Sequence, residues 1–140
     1  MIIDHIGIVV KSINDGIAQW EAFFGYHRAT DIITNTRQRV HVVFMEKDYS
    51  IAVKLVAPVD EQSPVSAFAR KGGGLHHLCF RCSSIDKELT RLNSLGAHVL
   101  CPPQPGEAFA NEKIAFVFCK TGLNIELIDT NKRANPVSCI

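Results

Sequence analysis

Four residues with chemically useful side chains lie at matching positions in the two halves of the chain. His5 and His77 are 72 positions apart (77 − 5), and Lys54 and Glu126 are separated by the same interval (126 − 54). Two imidazoles and a carboxylate suit a divalent first-row metal such as Co, Mn, Zn, Ni or Fe. Such an ion can bind vicinal oxygens of a substrate and stabilise an enolate beside a carbonyl. We therefore predict that His5, His77 and Glu126 hold a metal ion, with Lys54 and Glu126 as catalytic residues.

The charge of Lys54 leaves three hypotheses open. A charged lysine repels a dication but pairs favourably with Glu126. In the first hypothesis the protein is a metal enzyme in which Lys54 acts as a neutral base or as an oxyanion partner. In the second, Lys54 replaces the ion, and the cleft is the metal-free site of a small-molecule binding or resistance protein, or of a cofactor-free enzyme. In the third, the two imidazoles and the carboxylate hold Fe(II) in a non-haem dioxygenase.

The repeat extends to the elements that must position these side chains. In each half, a strand that carries the histidine precedes a helix with a serine cap, Ser12 in the first half and Ser84 in the second. Further strands are predicted near residues 40–45, 51–56, 113–119 and 123–128. Each half therefore has the order β-α-β-β-β. We predict an α+β fold in which two such modules form a curved mixed sheet around a central cleft.

The modules are expected to form one domain. They cover about residues 2–57 and 75–130, with a helical connector at 58–74 and a loose C-terminal tail at 131–140. The connector contains Ser63-Pro64, a cap followed by a proline at the first helical position. Three segments are less regular: a strand or mobile loop at 31–38, a Pro/Gly loop at 102–110 that could close over the cleft, and a turn at 121–122.

Composition limits the classes of function. The 140 residues are 46% hydrophobic and 21% charged, as in an ordinary globular domain. A formal net charge of +1 gives no electrostatic basis for binding nucleic acid or an anionic membrane. The sequence has no signal peptide or long apolar run and no disulfide framework, so a cytoplasmic protein is expected. Cys79 and Cys82 match C-x-x-C, but residues three apart on a strand point to opposite faces and should not share a metal.

Several stretches together resemble a known superfamily. They are Asp4-His5-Ile6-Gly7-Ile8, Ser63-Pro64 through Phe68, Gly74-Leu75-His76-His77-Leu78, Pro105-Gly106, Lys113-Ile114-Ala115-Phe116 and Ile125-Glu126-Leu127. Over about residues 2–130 the chain resembles the vicinal oxygen chelate superfamily, which includes glyoxalase I, extradiol dioxygenases and bleomycin-resistance proteins. Within it, the resemblance is closest to the methylmalonyl-CoA epimerase branch.

The resemblance implies a homodimer of paired β-α-β-β-β modules. It also implies a metal held by His5, His77, Glu126 and a fourth residue, which in the family is a Gln or Glu where this chain has Lys54. The family's catalytic Glu falls in the stretch Arg37-Gln38-Arg39-Val40, which contains no carboxylate. We expect an epimerase, isomerase or lyase that acts next to the carbonyl or thioester of a small substrate. Arg37 and Arg39 are predicted to bind an anionic substrate, such as an acyl-CoA.

Overall fold

The computed structural model describes residues 1–120 and 122–138, so the predicted turn at 121–122 lies partly outside the described residues. The first half contains β1 (Ile2–Val9), α1 (Ile13–Phe24), β2 (His27–Arg28), β3 (Ile33–Asn35), β4 (Val40–Glu46) and β5 (Ala52–Pro58). A short helix, α2 (Ser66–Arg70), connects the halves. The second half contains β6 (Gly74–Arg81), α3 (Ile85–Ser94), β7 (His98–Gly106), a 3₁₀ turn (Glu107–Phe109), β8 (Glu112–Phe118) and β9 (Asn124–Ile128).

All the strands belong to one mixed sheet. Its order is β2-β4-β5-β1-β6-β9-β8-β7, with β3 paired to β4. The equivalent strands β1 and β6 lie side by side at the centre and run antiparallel, while each pairs in parallel with the last strand of its own half. Two repeats related by this central antiparallel pair confirm the predicted α+β architecture.

The two longer helices begin where the sequence predicts. The Ser12 hydroxyl accepts a hydrogen bond from the backbone N–H of Asp15 at 3.3 Å, and α1 ends at Gly25, whose φ of 68° is the left-handed conformation that glycine adopts readily. The Ser84 hydroxyl caps α3 in the same way. Ile17 of α1 packs with strand residues in one apolar cluster, and Ile85 of α3 packs in another. A third cluster, which includes Phe44 and Phe109, lines the cleft.

Four less regular segments can be compared with their sequence-based descriptions. Residues 31–38 contain the strand alternative in part, as the short strand β3 followed by a turn, whereas most of residues 102–110 continues β7 into the 3₁₀ turn instead of forming a loop. The connector helix begins at Ser66 rather than Pro64, and the buried Ser63 hydroxyl caps nothing. The described part of the predicted tail, residues 131–138, contacts the rest of the domain. Its backbone donates to Ala108 and Ala29 and accepts from Asp31. Among the described residues, no helix has the length and apolar character needed to cross a bilayer.

Candidate active site

One carboxylate oxygen lies at the centre of the site. Glu126 Oε2 accepts a hydrogen bond from Lys54 Nζ at 2.6 Å and lies 3.0 Å from His5 Nε2. His77 Nε2 lies 3.1 Å from the same oxygen. All four residues are buried, with at most 5% of any of them exposed. The structure therefore brings together the four polar residues that the repeat singles out, and it places them around a single atom.

The register of the central strands creates room for this cluster. Gly7 of β1 pairs with Lys54 of β5 on one side and with His77 of β6 on the other. A Cβ atom at position 7 would lie 2.0 Å from His77 Cε1, inside the ring's van der Waals surface. A residue without a side chain at position 7 therefore lets the His77 imidazole lie across β1 and reach Glu126.

Lys54 and Glu126 form a buried ion pair. Burial by itself would raise the pKa of Glu126, but the ammonium of Lys54 and the hydrogen bond with His5 outweigh it and hold the pKa well below its usual value. The Lys54 ammonium also lies 5.1 Å from the centre of the Phe109 ring and 5.9 Å from that of Phe44. Removing one partner of such a pair leaves an uncompensated buried charge and costs about 3–5 kcal/mol.

A line of polar contacts continues from Glu126 to the C-terminal segment. His5 Nδ1 lies 2.8 Å from Asp4 Oδ1, and the Arg133 guanidinium donates to the same Asp4 oxygen. Burial opposes ionisation of Asp4, yet the hydrogen bond with His5 and the charge of Arg133 lower its pKa. Arg133 also stacks over the Phe44 ring, 4.3 Å from its centre. A carboxylate bound to one imidazole nitrogen fixes the orientation of the ring, so Asp4 sets how His5 faces Glu126.

His77 and its neighbour His76 form the other side of the cluster. Their Nδ1 atoms are 2.9 Å apart. Burial, with a smaller contribution from the Lys54 charge, lowers the pKa of His77 to about 4, and the same causes lower that of His76. His77 is therefore neutral near pH 7. Its Nε2 has no aligned hydrogen-bond partner among the described residues, and neither has Glu126 Oε1.

The cluster opens into a small apolar cavity of about 180 Å³. Lys54, His76, His77 and Glu126 form its polar part, and its apolar lining comes from Val40, Val42, Val56, Val65, Phe109, Ile114 and Phe116, among others. Two amides, Asn35 and Gln38, also line it and bind one another at 3.2 Å. The cavity can hold a small acyl group with a carbonyl turned towards the charged residues.

The predicted anion-binding arginines lie outside this lining. Arg37 is exposed, and its backbone N–H contacts Glu107. Arg39 forms an exposed ion pair with Asp60. Both arginines flank Gln38, which does line the cavity. Their roles in binding an anion stay predictions. Sequence reasoning missed Asp4, His76 and Arg133: the first two adjoin the repeated histidines, whereas nothing in the local sequence marks Arg133.

The two cysteines of the C-x-x-C stretch have different surroundings. Cys79 is fully buried, and burial raises the pKa of its thiol. The Cys82 thiol is only partly buried and donates to the Ile128 carbonyl. Neither surrounding favours a thiolate, which is the form that binds metals and exchanges disulfides.

The sequence and the fold both match a known superfamily. The family model described as the glyoxalase/bleomycin resistance protein/dioxygenase superfamily matches residues 4–118. The chain belongs to this superfamily. It is 34% identical over 134 residues to the uncharacterized protein YqjC of Bacillus subtilis, and the match covers 91% of each chain.

Two of the similar solved structures are methylmalonyl-CoA epimerases. The enzyme of Mycobacterium tuberculosis is 29% identical, with a TM-score of 0.80 over 91% of this chain and 86% of that chain. A variant of the Streptomyces coelicolor enzyme in complex with 2-nitronate-propionyl-CoA is 25% identical, with a TM-score of 0.80 over 92% and 96%. These likenesses place the chain in a fold class that supports epimerases.

A divalent metal matches part of this cluster and conflicts with the rest. The possible ligand atoms of His5, His77 and Glu126 lie within 4.8 Å of one another, and Nε2 of His77 and Oε1 of Glu126 have no other partner among the described residues. The Lys54 ammonium, however, contacts the carboxylate oxygen that both imidazoles face. An ammonium has no lone pair to offer a metal, and it repels a dication. The set therefore does not fit a divalent ion while Lys54 holds this position.

Proposed function

We propose that the protein is an isomerase of the epimerase type, which moves a proton at the carbon next to the carbonyl of a small thioester. The observation that carries this proposal is the Lys54–Glu126 ion pair in the polar part of an otherwise apolar cavity. It supplies a proton acceptor and a positive charge within one small volume. The methylmalonyl-CoA epimerases among the similar structures support a thioester of coenzyme A as the substrate class.

The proton passes from carbon to the free oxygen of Glu126. Oε1 has no hydrogen-bond partner among the described residues and belongs to a residue that lines the cavity. The C–H bond breaks, the proton forms an O–H bond with Oε1, and the electron pair moves onto the carbonyl oxygen as an enolate. If the enolate turns its opposite face towards Glu126 before Oε1 returns the proton, the O–H bond breaks, a new C–H bond forms and the configuration of the carbon is inverted. A lyase reaction would instead expel a neighbouring group from the same enolate.

The ion pair makes this transfer electrostatically feasible. When Glu126 accepts the proton it becomes neutral, and the Lys54 ammonium is released to pair with the enolate oxygen. The buried charges are then still one positive and one negative, so the cavity never contains an uncompensated charge. The low pKa of Glu126 alone makes it a weak base. Its basicity rises as the substrate oxygen competes for Lys54.

Deuterium exchange tests the proposal directly. We expect the protein to catalyse exchange of the proton next to the carbonyl when methylmalonyl-CoA or butyryl-CoA is incubated in D₂O, as measured by mass spectrometry. Glu126→Gln removes the proton acceptor and should lower the rate by about 10²–10⁴-fold. Lys54→Met removes the enolate's partner and should lower it by roughly 10²–10³-fold. Arg91→Gln, in an exposed ion pair on α3, is the matched control and should leave the rate unchanged.

Two results would contradict the proposal. One is an unchanged exchange rate in folded Glu126→Gln, and the other is the absence of exchange with every thioester tested in folded wild-type protein. Circular dichroism and thermal melting of each variant establish that it is folded, because changing either partner of the buried pair also affects stability.

A small-molecule binding or resistance protein is the second candidate function. The observation that favours it is that Glu126 is already paired with Lys54, so the site is electrostatically complete without a catalytic metal. Such a protein would bind an acyl or other anionic ligand in the cavity without any exchange. Calorimetric binding of butyryl-CoA without deuterium incorporation would favour this candidate over the isomerase.

A further inference from the structure

We propose that Lys54 serves as a resident cation that excludes divalent metal ions from this centre and takes over their electrostatic role. The inference deepens the proposed function, because the ammonium would be the group that holds the substrate's carbonyl oxygen. The inference concerns Lys54 because the resemblance to the superfamily implies a Gln or Glu at this position.

The geometry of Lys54 matches that role. Its strand, β5, pairs in parallel with β1, and its partner in register is Gly7, which adds no side chain between Lys54 and His77. Nζ donates to Glu126 Oε2 at 2.6 Å, so the positive charge lies against the carboxylate that would otherwise bind an ion. Only 5% of Lys54 is exposed, and the rings of Phe44 and Phe109 flank its ammonium. The charge is held in place rather than solvated.

The charges around the cluster compensate one another without a dication. Lys54 and Glu126 cancel, and Arg133 and Asp4 cancel at the far side of His5. Adding two positive charges beside Lys54 would leave a large unbalanced charge in a buried site, where electrostatic interactions are much stronger than in water. Exclusion of the metal therefore follows from the charge already present.

Cobalt binding separates this inference from a metal-dependent centre. Purified wild-type protein is titrated with Co²⁺, and visible absorption reports coordination by the protein. We expect no protein-bound Co²⁺ spectrum for the wild type. Lys54→Gln replaces the ammonium with an amide whose oxygen can coordinate, and it should bind one Co²⁺ per chain at least roughly 100-fold more tightly. His77→Ala added to Lys54→Gln should abolish that binding, and Lys54→Met, without an added ligand, should bind more weakly than Lys54→Gln.

The Co²⁺ outcomes bear on the inference without depending on catalysis. One Co²⁺ bound per wild-type chain, lost in His77→Ala, would overturn it. Failure of folded Lys54→Gln to bind Co²⁺ would overturn it as well, because removal of the cation would then not have opened the site. If Lys54→Gln does not fold, the wild-type protein decides: deuterium exchange that survives chelation with less than 0.1 metal per chain supports the inference, and exchange that requires added metal overturns it. Failure of the isomerase proposal would appear as an absence of exchange, whatever the Co²⁺ result.

Discussion

Five side chains of this site form a connected series of contacts. From the C-terminal segment inward, Arg133 contacts Asp4, Asp4 contacts His5, His5 contacts Glu126, and Glu126 contacts Lys54. Each carboxylate of the series contacts one cation: Asp4 contacts Arg133, and Glu126 contacts Lys54. Because most of this series is buried, the energy of each contact depends on its neighbours, and a substitution at one end should be felt at the other.

Gly7 has no side chain, and this lets the His77 ring lie against β1. A Cβ on Gly7 would meet the His77 ring at 2.0 Å, so Gly7→Ala forces the ring or β1 to move. We expect Gly7→Ala to lower the free energy of unfolding by about 1–3 kcal/mol, as overpacking of a core does. In a His77→Ala background the obstructing ring is absent, so adding Gly7→Ala should cost much less. Urea denaturation of the two single variants and the double variant measures this coupling.

Additive effects would contradict this account of Gly7. If the double variant loses as much stability as the two single variants combined, the glycine is required for a reason other than the His77 ring. A melting curve of His77→Ala alone supplies the reference, since that substitution also leaves a cavity.

The internal repeat made the four central residues predictable, whereas the contact of Arg133 could not be predicted from the sequence. His5, His77, Lys54 and Glu126 could be identified because each occupies a position that recurs after 72 residues. Arg133 belongs to no repeat, and its contact with Asp4 joins residues 129 positions apart. No periodicity or spacing reports such a contact, because only the folded sheet brings the C-terminal segment to the start of β1.

At the scale of elements, one carboxylate joins two segments beside the cavity. Glu107, in the 3₁₀ turn after β7, accepts hydrogen bonds from the backbone N–H and the hydroxyl of Thr36, at 2.8 and 2.6 Å. The backbone N–H of Arg37 lies 3.4 Å from the same oxygen. These segments also carry Gln38 and Phe109, which line the cavity, so Glu107 holds two parts of its wall together.

The pH dependence of stability tests this connection. Partial burial opposes ionisation, but the hydrogen bonds from Thr36 and Arg37 lower the pKa of Glu107. Since its pKa is lower in the folded than in the unfolded state, the stabilisation is complete at neutral pH and is lost as the pH falls through the folded-state pKa. Glu107→Gln should therefore reduce the free energy of unfolding by about 1 kcal/mol at pH 7. The difference from the wild type should shrink at acidic pH, as the carboxyl becomes protonated in the folded state as well as in the unfolded state.

Glu61→Gln, at an exposed position of the connector, is the control for this experiment and should be neutral at both pH values. Chemical denaturation at each pH supplies the measurement. A difference between Glu107→Gln and wild type that is the same at both pH values would show that the charge of Glu107 contributes nothing.

Element boundaries were predictable where a local signal exists and not elsewhere. Ser12 and Gly25 delimit α1 because capping and left-handed backbone depend on the residues themselves. Ser63 lacks such a role, because the chain turns through Pro64 and Val65 before α2 begins. The Pro/Gly composition of residues 102–106 suggested a loop, yet these residues pair with β8 as part of β7, with register irregularities that accommodate the prolines.

For the whole molecule, the open sheet leaves one long edge. Strand order ends at β7, whose Pro102, Pro103 and Pro105 cannot donate hydrogen bonds to a further strand. The first part of β7 lacks this protection and exposes Val99 and Leu100 to 43% and 54%. An unprotected apolar edge is a surface that proteins usually cover. The expected homodimer would bury it.

Substitution of a charge at this edge tests the expected assembly. We expect wild-type protein to have the mass of a dimer in size-exclusion chromatography with light scattering. Leu100→Asp should shift the protein towards the monomer, because an aspartate would be desolvated and unpaired in the interface. Phe23→Asp changes a still more exposed apolar residue on α1 and should leave the mass unchanged. A monomeric wild type would contradict the expected homodimer. A dimer broken only by Phe23→Asp would place the interface on α1 instead of β7.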